Sequence, residues 1–190
     1  MAMAYTTKKS LLEAIRCGDE VSWYEFYETY RPLIVVRGRD YKLNAVEIDE
    51  LIQSVMLRFF DRSRSFVYDR SKGKFRDYLG VMIYHCALNI IRQRRRNEVG
   101  YEEIEIAAPE NDSDRWYQEW QRHVMALAMK QLKLQLEEIT FQAFELYVVK
   151  GESPENVAKF LRIPVNMVYV AKSRAVARLR KIVSQLRKGE

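Results

Sequence analysis

Between Gly151 and Val183 the chain reads GESPENVAKFLRIPVNMVYVAKSRAVARLRKIV, two helical apolar stripes parted by a very short break. Ser153 is a good N-cap, and Pro154 fits the first helical position, where no backbone donor is needed. The first stripe is Val157, Ala158 and Leu161, and the residues around Pro164 stop it. The second stripe, Val168, Ala171, Ala175, Leu179, Ile182 and Leu186, has helical period. The other faces of that second helix carry Asn166, Tyr169, Lys172, Ser173, Arg174, Arg178 and Lys181. A short helix holding a longer one is the grammar of a helix-turn-helix. Its cations and short hydrogen-bonding groups suit a major groove, where phosphates position and base edges specify. An ordinary helical hairpin with a solvated basic face has the same pattern, so the rest of the chain must decide between them.

Seven glycines and four prolines among 190 residues, with long stretches free of both, favour a mainly helical protein. The apolar share of 48% is ample for a packed core and argues against global disorder. A formal charge of +6 favours a polyanionic partner, weakly, because charges of both signs make up 31% of the chain. Cys17 and Cys86 lie in apolar helical patterns with no CxxC or Cys/His cluster, so neither a disulfide framework nor a zinc site is expected. No apolar run approaches transmembrane length and MAMAYTTKKS has no signal-peptide core, so no membrane insertion and a cytoplasmic location are expected.

Two patterned blocks follow from the periodicity. The first, from Ser10 to about Asn97, reads as four helices. Leu11, Leu12 and Ile15 open it, and Gly18-Asp19 break it. The next segment groups Trp23, Phe26, Tyr27 and Tyr30, and Pro32 predicts a kink or boundary there. From Val46 to Asp61, Ile48, Leu51, Ile52, Val55 and Phe59 obey the i, i+3, i+4, i+7 rule, with Asn44 as cap. Residues 62–74 form a basic loop, and a long helix runs from Phe75 to about Arg96 on Phe75, Leu79, Met82, Cys86 and Ile90. Tyr101 to Asp114 is acidic, contains Pro109 and no basic residue, and reads as a linker. The second block starts near Arg115 with Trp116, Trp120, Val124 and Leu127, continues around Phe141, Phe144 and Val148, and ends in the helix-turn-helix. The expected fold is all-α, with two small helical domains at 8–97 and 115–188 joined by an acidic linker at 98–114.

No catalytic constellation is visible. His85 and His123 lack a nucleophile or ligand at telling spacing, and Glu137-Glu138 reads as a helix start favoured by the helix dipole. A second nucleic-acid signature lies in the first block. His85, Asn89, Arg92 and Arg96 make one polar stripe on the long helix, thickened by Arg94 and Arg95. Upstream, Phe66, Tyr68, Arg70, Lys72, Lys74, Phe75, Arg76 and Tyr78 interleave rings with cations, which suits unstacked bases beside a phosphate track. Phe75 and Tyr78 are expected to be core residues instead. The helix before them carries a mostly acidic face of Glu47, Asp49, Glu50, Gln53, Ser54 and Arg58, which would repel phosphates and, if functional, binds another protein.

Together these pieces resemble the bacterial sigma factors of the extracytoplasmic-function (ECF) group, over nearly the whole chain. EIDELIQSVMLRFF, from Glu47 to Phe60, resembles the family's region-two stretch DAEDLVQEVFLRLF, with Leu51, Ile52, Gln53, Val55, Leu57 and Arg58 in matching places. FRDYLGVMIYHCALNIIRQRRR resembles the F-x-x-W-L helix that ends in an asparagine and an arginine cluster, with Tyr78 where tryptophan is usual. SPENVAKFLRIPVNMVYVAKSRAVARLR resembles region four, S-x-x-E-I-A-x-x-L-G-I-P-x-G-T-V followed by Ser-Arg. Asn166-Met167 stand for Gly-Thr, Ser173-Arg174 lie further on than the family's pair, and Arg162 replaces the turn glycine, so the turn must accommodate a side chain.

The resemblance implies an RNA polymerase sigma factor that directs core polymerase to promoters and melts them, with no enzymatic activity, cofactor or metal. By position, Glu47, Asp49, Glu50, Gln53 and Arg58 would face the clamp helices of the polymerase β′ subunit. Phe66, Tyr68, Arg70, Lys72, Lys74, Arg76, Tyr84, His85, Asn89, Arg92 and Arg96 would meet the minus-ten DNA. Asn166, Met167, Tyr169, Val170, Lys172, Ser173, Arg174 and Arg178 would enter the upstream major groove, with this domain seated on the β flap. The acidic linker would thread the polymerase cleft, and a separate partner such as an anti-sigma factor, or expression level, would regulate a monomeric protein. The competing reading is an autonomous helix-turn-helix repressor or activator, which would bind duplex DNA without polymerase as a dimer on paired half-sites. A nucleic-acid-processing enzyme would need a metal or nucleophile site that the sequence does not contain.

Overall fold

The computed structural model describes residues 14–15, 19–63, 74–99 and 112–188. The expected helix around Leu11 and most of the 62–74 loop and the acidic linker lie outside them. Among the described residues every regular element is helical, which is the expected all-α class. The elements are α1 (Glu20–Asp40), α2 (Ala45–Ser63), α3 (Phe75–Val99), α4 (Asp112–Gln135), α5 (Glu138–Phe144), α6 (Pro154–Leu161) and α7 (Val165–Lys188). A π-helical turn, Glu145–Val149, follows α5 directly.

Local chemistry sets the starts of these helices. Asp19 caps α1 by accepting from the Ser22 backbone N–H. At α2, Asn44 Oδ1 accepts from the Glu47 N–H at 3.0 Å, and Glu47 Oε2 accepts from the Asn44 N–H at 2.8 Å. That reciprocal pair is a capping box, which satisfies two donors the helix itself leaves open. Pro32 was expected to mark a kink or boundary, yet α1 runs through it to Asp40. Pro32 and Glu28 are both exposed, so the carbonyl that loses its partner faces solvent and water can take the missing hydrogen bond.

The chain divides into two compact units, one ending at His123 and the other spanning Val124–Lys188. The division falls inside α4, not at the expected Arg115, because the first turns of α4 fill the first unit's core. Trp120 is 2% exposed and stacks on Tyr30, with ring centroids 6.2 Å apart at 20°. Phe26 and Phe59 stack at 4.3 Å, and Phe75 meets both edge-on. Trp116 packs its indole onto Gly80, where a Cβ atom would come within 2.8 Å of Nε1. The buried Arg37 guanidinium lies 5.6 Å from the Trp116 ring, donates to Tyr41 Oη at 2.7 Å and pairs with Asp40 at 3.0 Å. Asp40 also pairs with Arg115. Burying an arginine is tolerable here because its charge and donors are matched.

The second unit is built where α5, α6 and α7 cross. Ala128, Leu132, Phe141, Phe144, Ala175 and Ile182 form one cluster, and Ala143, Val157, Ala158, Val168 and Ala171 form another. The alanines at the crossings let helix backbones approach closely, and the longer apolar side chains fill the space beside them. Glu137 and Glu138 do sit at the start of α5, as N-cap and first-turn residue.

The apolar stripe Phe141, Phe144, Val148 does not continue as read. The Lys150 N–H donates to the Glu145 carbonyl five residues back, at 2.9 Å, so one extra residue enters the turn. Val148 is turned outward, to 42% exposure, while Leu146 and Tyr147 pack against the cluster that holds Ala143, Val168 and Ala171.

Ser153 caps α6 through its hydroxyl, which accepts from the Asn156 N–H at 3.2 Å, and Pro154 occupies the first turn. Arg162 ends α6 in the left-handed region at φ 56° and ψ 44°. The turn therefore accepts a side chain where glycine would cost less, as its sequence required. Because Arg162 is exposed, Arg162→Gly should relieve the strain without losing packing. We expect a gain of about 0.5–1 kcal/mol after the extra flexibility of the unfolded chain is subtracted. A urea midpoint that stays or falls would show that the turn is unstrained.

Candidate nucleic-acid interface

On α7, one face is buried and the rest is offered to solvent. Val168, Ala171 and Ala175 are buried, while Asn166, Met167, Tyr169, Lys172, Ser173, Arg174 and Arg178 are exposed and Val170 is half-buried. No acidic residue occurs anywhere from Val165 to Lys188, so the helix combines a positive N-terminal dipole with cations alone. The α6–turn–α7 unit brings together every upstream residue that the sequence singled out. Two of them share a support. Tyr169 meets the Tyr147 ring at 5.7 Å and 88°, and Lys172 Nζ lies 5.1 Å from the centre of the same ring.

The α3 face is partly as expected. His85, Asn89, Arg92 and Arg96 are all exposed, at intervals that keep them on one side of the helix. Tyr84 is half-buried, 6.2 Å from the Tyr41 ring and 5.5 Å from His85. Lys74 is exposed, whereas Arg76 is half-buried, paired with Asp77 at 3.0 Å and stacked 4.9 Å from the Tyr117 ring. Phe75 is fully buried and Tyr78 half-buried beside it, in keeping with a core role. Phe66, Tyr68, Arg70 and Lys72 lie outside the described residues.

On α2 one residue leaves the proposed face. Glu47 is 8% exposed, and its carboxylate is shared between the capping box and Arg94 Nη1, at 3.1 Å and 3.2 Å. It therefore fastens α3 to the start of α2 and is not presented to a partner. Arg94 leaves the α3 arginine cluster for the same reason. Asp49, Glu50, Gln53 and Arg58 are exposed. Beside them lie Val46 and Leu57, 77% and 63% exposed, which a reading by charge passed over. Positions 46, 50, 53 and 57 follow one another at i, i+4, i+7 and i+11, so a helical projection of the same sequence brings the two apolar residues onto that strip. Tyr147 was also missed, although it lies one helical turn after Ala143, which is buried in the cluster it packs against.

Other chemistry is sparse. Burial pushes the Cys86 thiol up from its usual range, and the Arg58 charge offsets this only in part, so Cys86 stays protonated and packs as an apolar group. Among the described residues no cluster of three His, Cys, Asp or Glu side chains is placed to hold a metal, and no helix is long and apolar enough to cross a membrane.

Comparison with known proteins adds one finding for the first unit. Residues 26–97, from the middle of α1 to the end of α3, match the family model described as Sigma-70 region 2. No curated protein matches the chain. The matched stretch contains the acidic α2 face, the α3 polar stripe and the Phe26–Phe59–Phe75 core that fixes the two helices. With that region identified, the first unit carries a sigma-70 region 2, and that region supports a sigma-factor role in transcription initiation.

Proposed function

We propose that the protein is an ECF-type sigma factor, a dissociable subunit that brings core RNA polymerase to specific promoters and carries no catalytic site of its own. The observation that supports this most is the pairing of a sigma-70 region 2 with a capped helix-turn-helix whose reading helix is free of acidic residues. In this reading the exposed Asp49, Glu50, Gln53 and Arg58 dock on the β′ clamp helices. The α3 stripe of His85, Asn89, Arg92 and Arg96 then meets minus-ten DNA as it opens, together with the 66–76 segment. The second unit is the region-four-like domain, which places α7 in the upstream major groove and rests on the β flap. The acidic linker at 98–114, rich in carboxylates, imitates nucleic acid in the polymerase cleft. The protein works in the cytoplasm as a monomer, and an anti-sigma factor is the partner that would hold it in reserve.

Capture of core polymerase by the full chain tests the docking face. Asp49→Arg should weaken that capture about tenfold or more, since it sets a cation against a surface selected for carboxylates. Its unfolding midpoint should stay within error of the parent, because the position is exposed. Undiminished capture would mean the face is misassigned. Arg174→Ala should cost about 1–3 kcal/mol of discrimination at one upstream base pair if the guanidinium reads a base edge. Equal loss on all sequences would make it a phosphate contact. Tight binding of promoter duplex by the chain without polymerase would favour an autonomous repressor or activator.

A further inference from the structure

We propose that Tyr147, on the π turn that precedes the helix-turn-helix, is a positioning residue for DNA reading by α7, and that it sets base preference through Tyr169 and Lys172. The proposal rests on the reading of α7 as the upstream DNA-binding helix. Its own support is geometric. Tyr147 follows the buried Ala143 by four residues and packs on the same cluster, while Val148, within the π turn, stays exposed. Tyr147 is half-buried against the cluster that includes Val168 and Ala171, so its ring is held by the core while part of it remains accessible. Tyr169 and Lys172, three residues apart on α7 and both exposed, converge on that ring from the helix surface.

The physical consequence is pre-ordering. A lysine side chain that must be immobilised on DNA loses much rotamer freedom, and a tyrosine less. Holding the ammonium against a fixed ring face, and the second ring perpendicular to the first, removes part of that loss before DNA arrives. Lys172 retains its three N–H donors for a phosphate or a guanine edge, because the ring engages only its charge. The Tyr169 ring, 48% exposed, is kept from turning back along the helix.

The test is selection of upstream promoter sequences from a randomised library by the full chain assembled with core polymerase. Tyr147→Phe keeps the ring and should keep the parent's preference. Tyr147→Leu fills similar space without a ring and should lower discrimination about two- to fivefold at the base pairs read by Tyr169 and Lys172. Lys172→Met, at an exposed site, should produce the same loss without touching the core. In that background Tyr147→Leu should add only the smaller effect that passes through Tyr169. Unchanged preference in either single variant, or independent effects of full size in the double variant, would overturn the proposal. Arg174→Ala separates the two levels. If it alters preference while Tyr147→Leu and Lys172→Met do not, the α7 reading stands and Tyr147 has no part in it. A parent holoenzyme with no upstream preference at all would remove both.

Discussion

Trp120→Ala should lower the stability of the first unit by about 3–5 kcal/mol, the cost of truncating a fully packed aromatic and leaving a cavity. Trp120 is 2% exposed and touches Tyr30, Trp116 and His123, with ring centroids between 5.8 Å and 6.2 Å. Tyr30 is itself a large ring held against Phe26 and Phe75, so it cannot close the gap by turning one rotamer. A whole domain is stable by only about 5–15 kcal/mol, so this loss is a large share of the total. The urea midpoint of the first unit should fall with little change in slope, and Trp120→Phe should recover much of it. A drop below about 1 kcal/mol would place Trp120 outside the core of this unit.

Gly80→Leu should also destabilise the first unit, by about 1–3 kcal/mol, although a helix interior ordinarily prefers leucine to glycine by nearly 1 kcal/mol. The sign is decided by Trp116. A Cβ atom at position 80 would sit 2.8 Å from Nε1 and 2.9 Å from Cε2 of a rigid indole that is itself 7% exposed. The indole has nowhere to retreat, because the buried Arg37 guanidinium lies against it. Removing the obstacle as well, in Gly80→Leu with Trp116→Ala, should cost less than the sum of the two single changes, since they share one contact. If Gly80→Leu instead raises the midpoint, Trp116 does not pack on α3.

Much of this architecture was legible because it is local. Asn44 as the cap of α2, Ser153-Pro154 at the start of α6, and the α7 stripe from Val168 to Ile182 need only neighbouring residues to declare themselves. Arg162 announced a turn that must hold a side chain, and its left-handed backbone bears that out. Glu47 was misread because its burial depends on Arg94, 47 residues away, and no pattern within α2 records that pairing. The stripe of Trp116 and Trp120 said that α4 has a buried face but not which core receives it. The π turn escaped because one inserted residue shifts the face of a helix without changing its composition. Where side chains of α7 and α3 lie on the surface was readable from period alone. Their support, by Tyr147 for the one and Glu47 for the other, was not.

The packing of Trp116 and Trp120 into the first unit has an optical consequence. The chain's three tryptophans are Trp23, Trp116 and Trp120, and all belong to that unit. Emission excited at the red edge of protein absorption, where tyrosine is silent, therefore reports on the first unit alone. Far-ultraviolet ellipticity sums the helices of both halves. The two signals plotted against denaturant give, in one unlabelled sample, the order in which the halves melt. Emission followed during titration with core polymerase or with upstream duplex separates events at the first unit from those that leave it untouched.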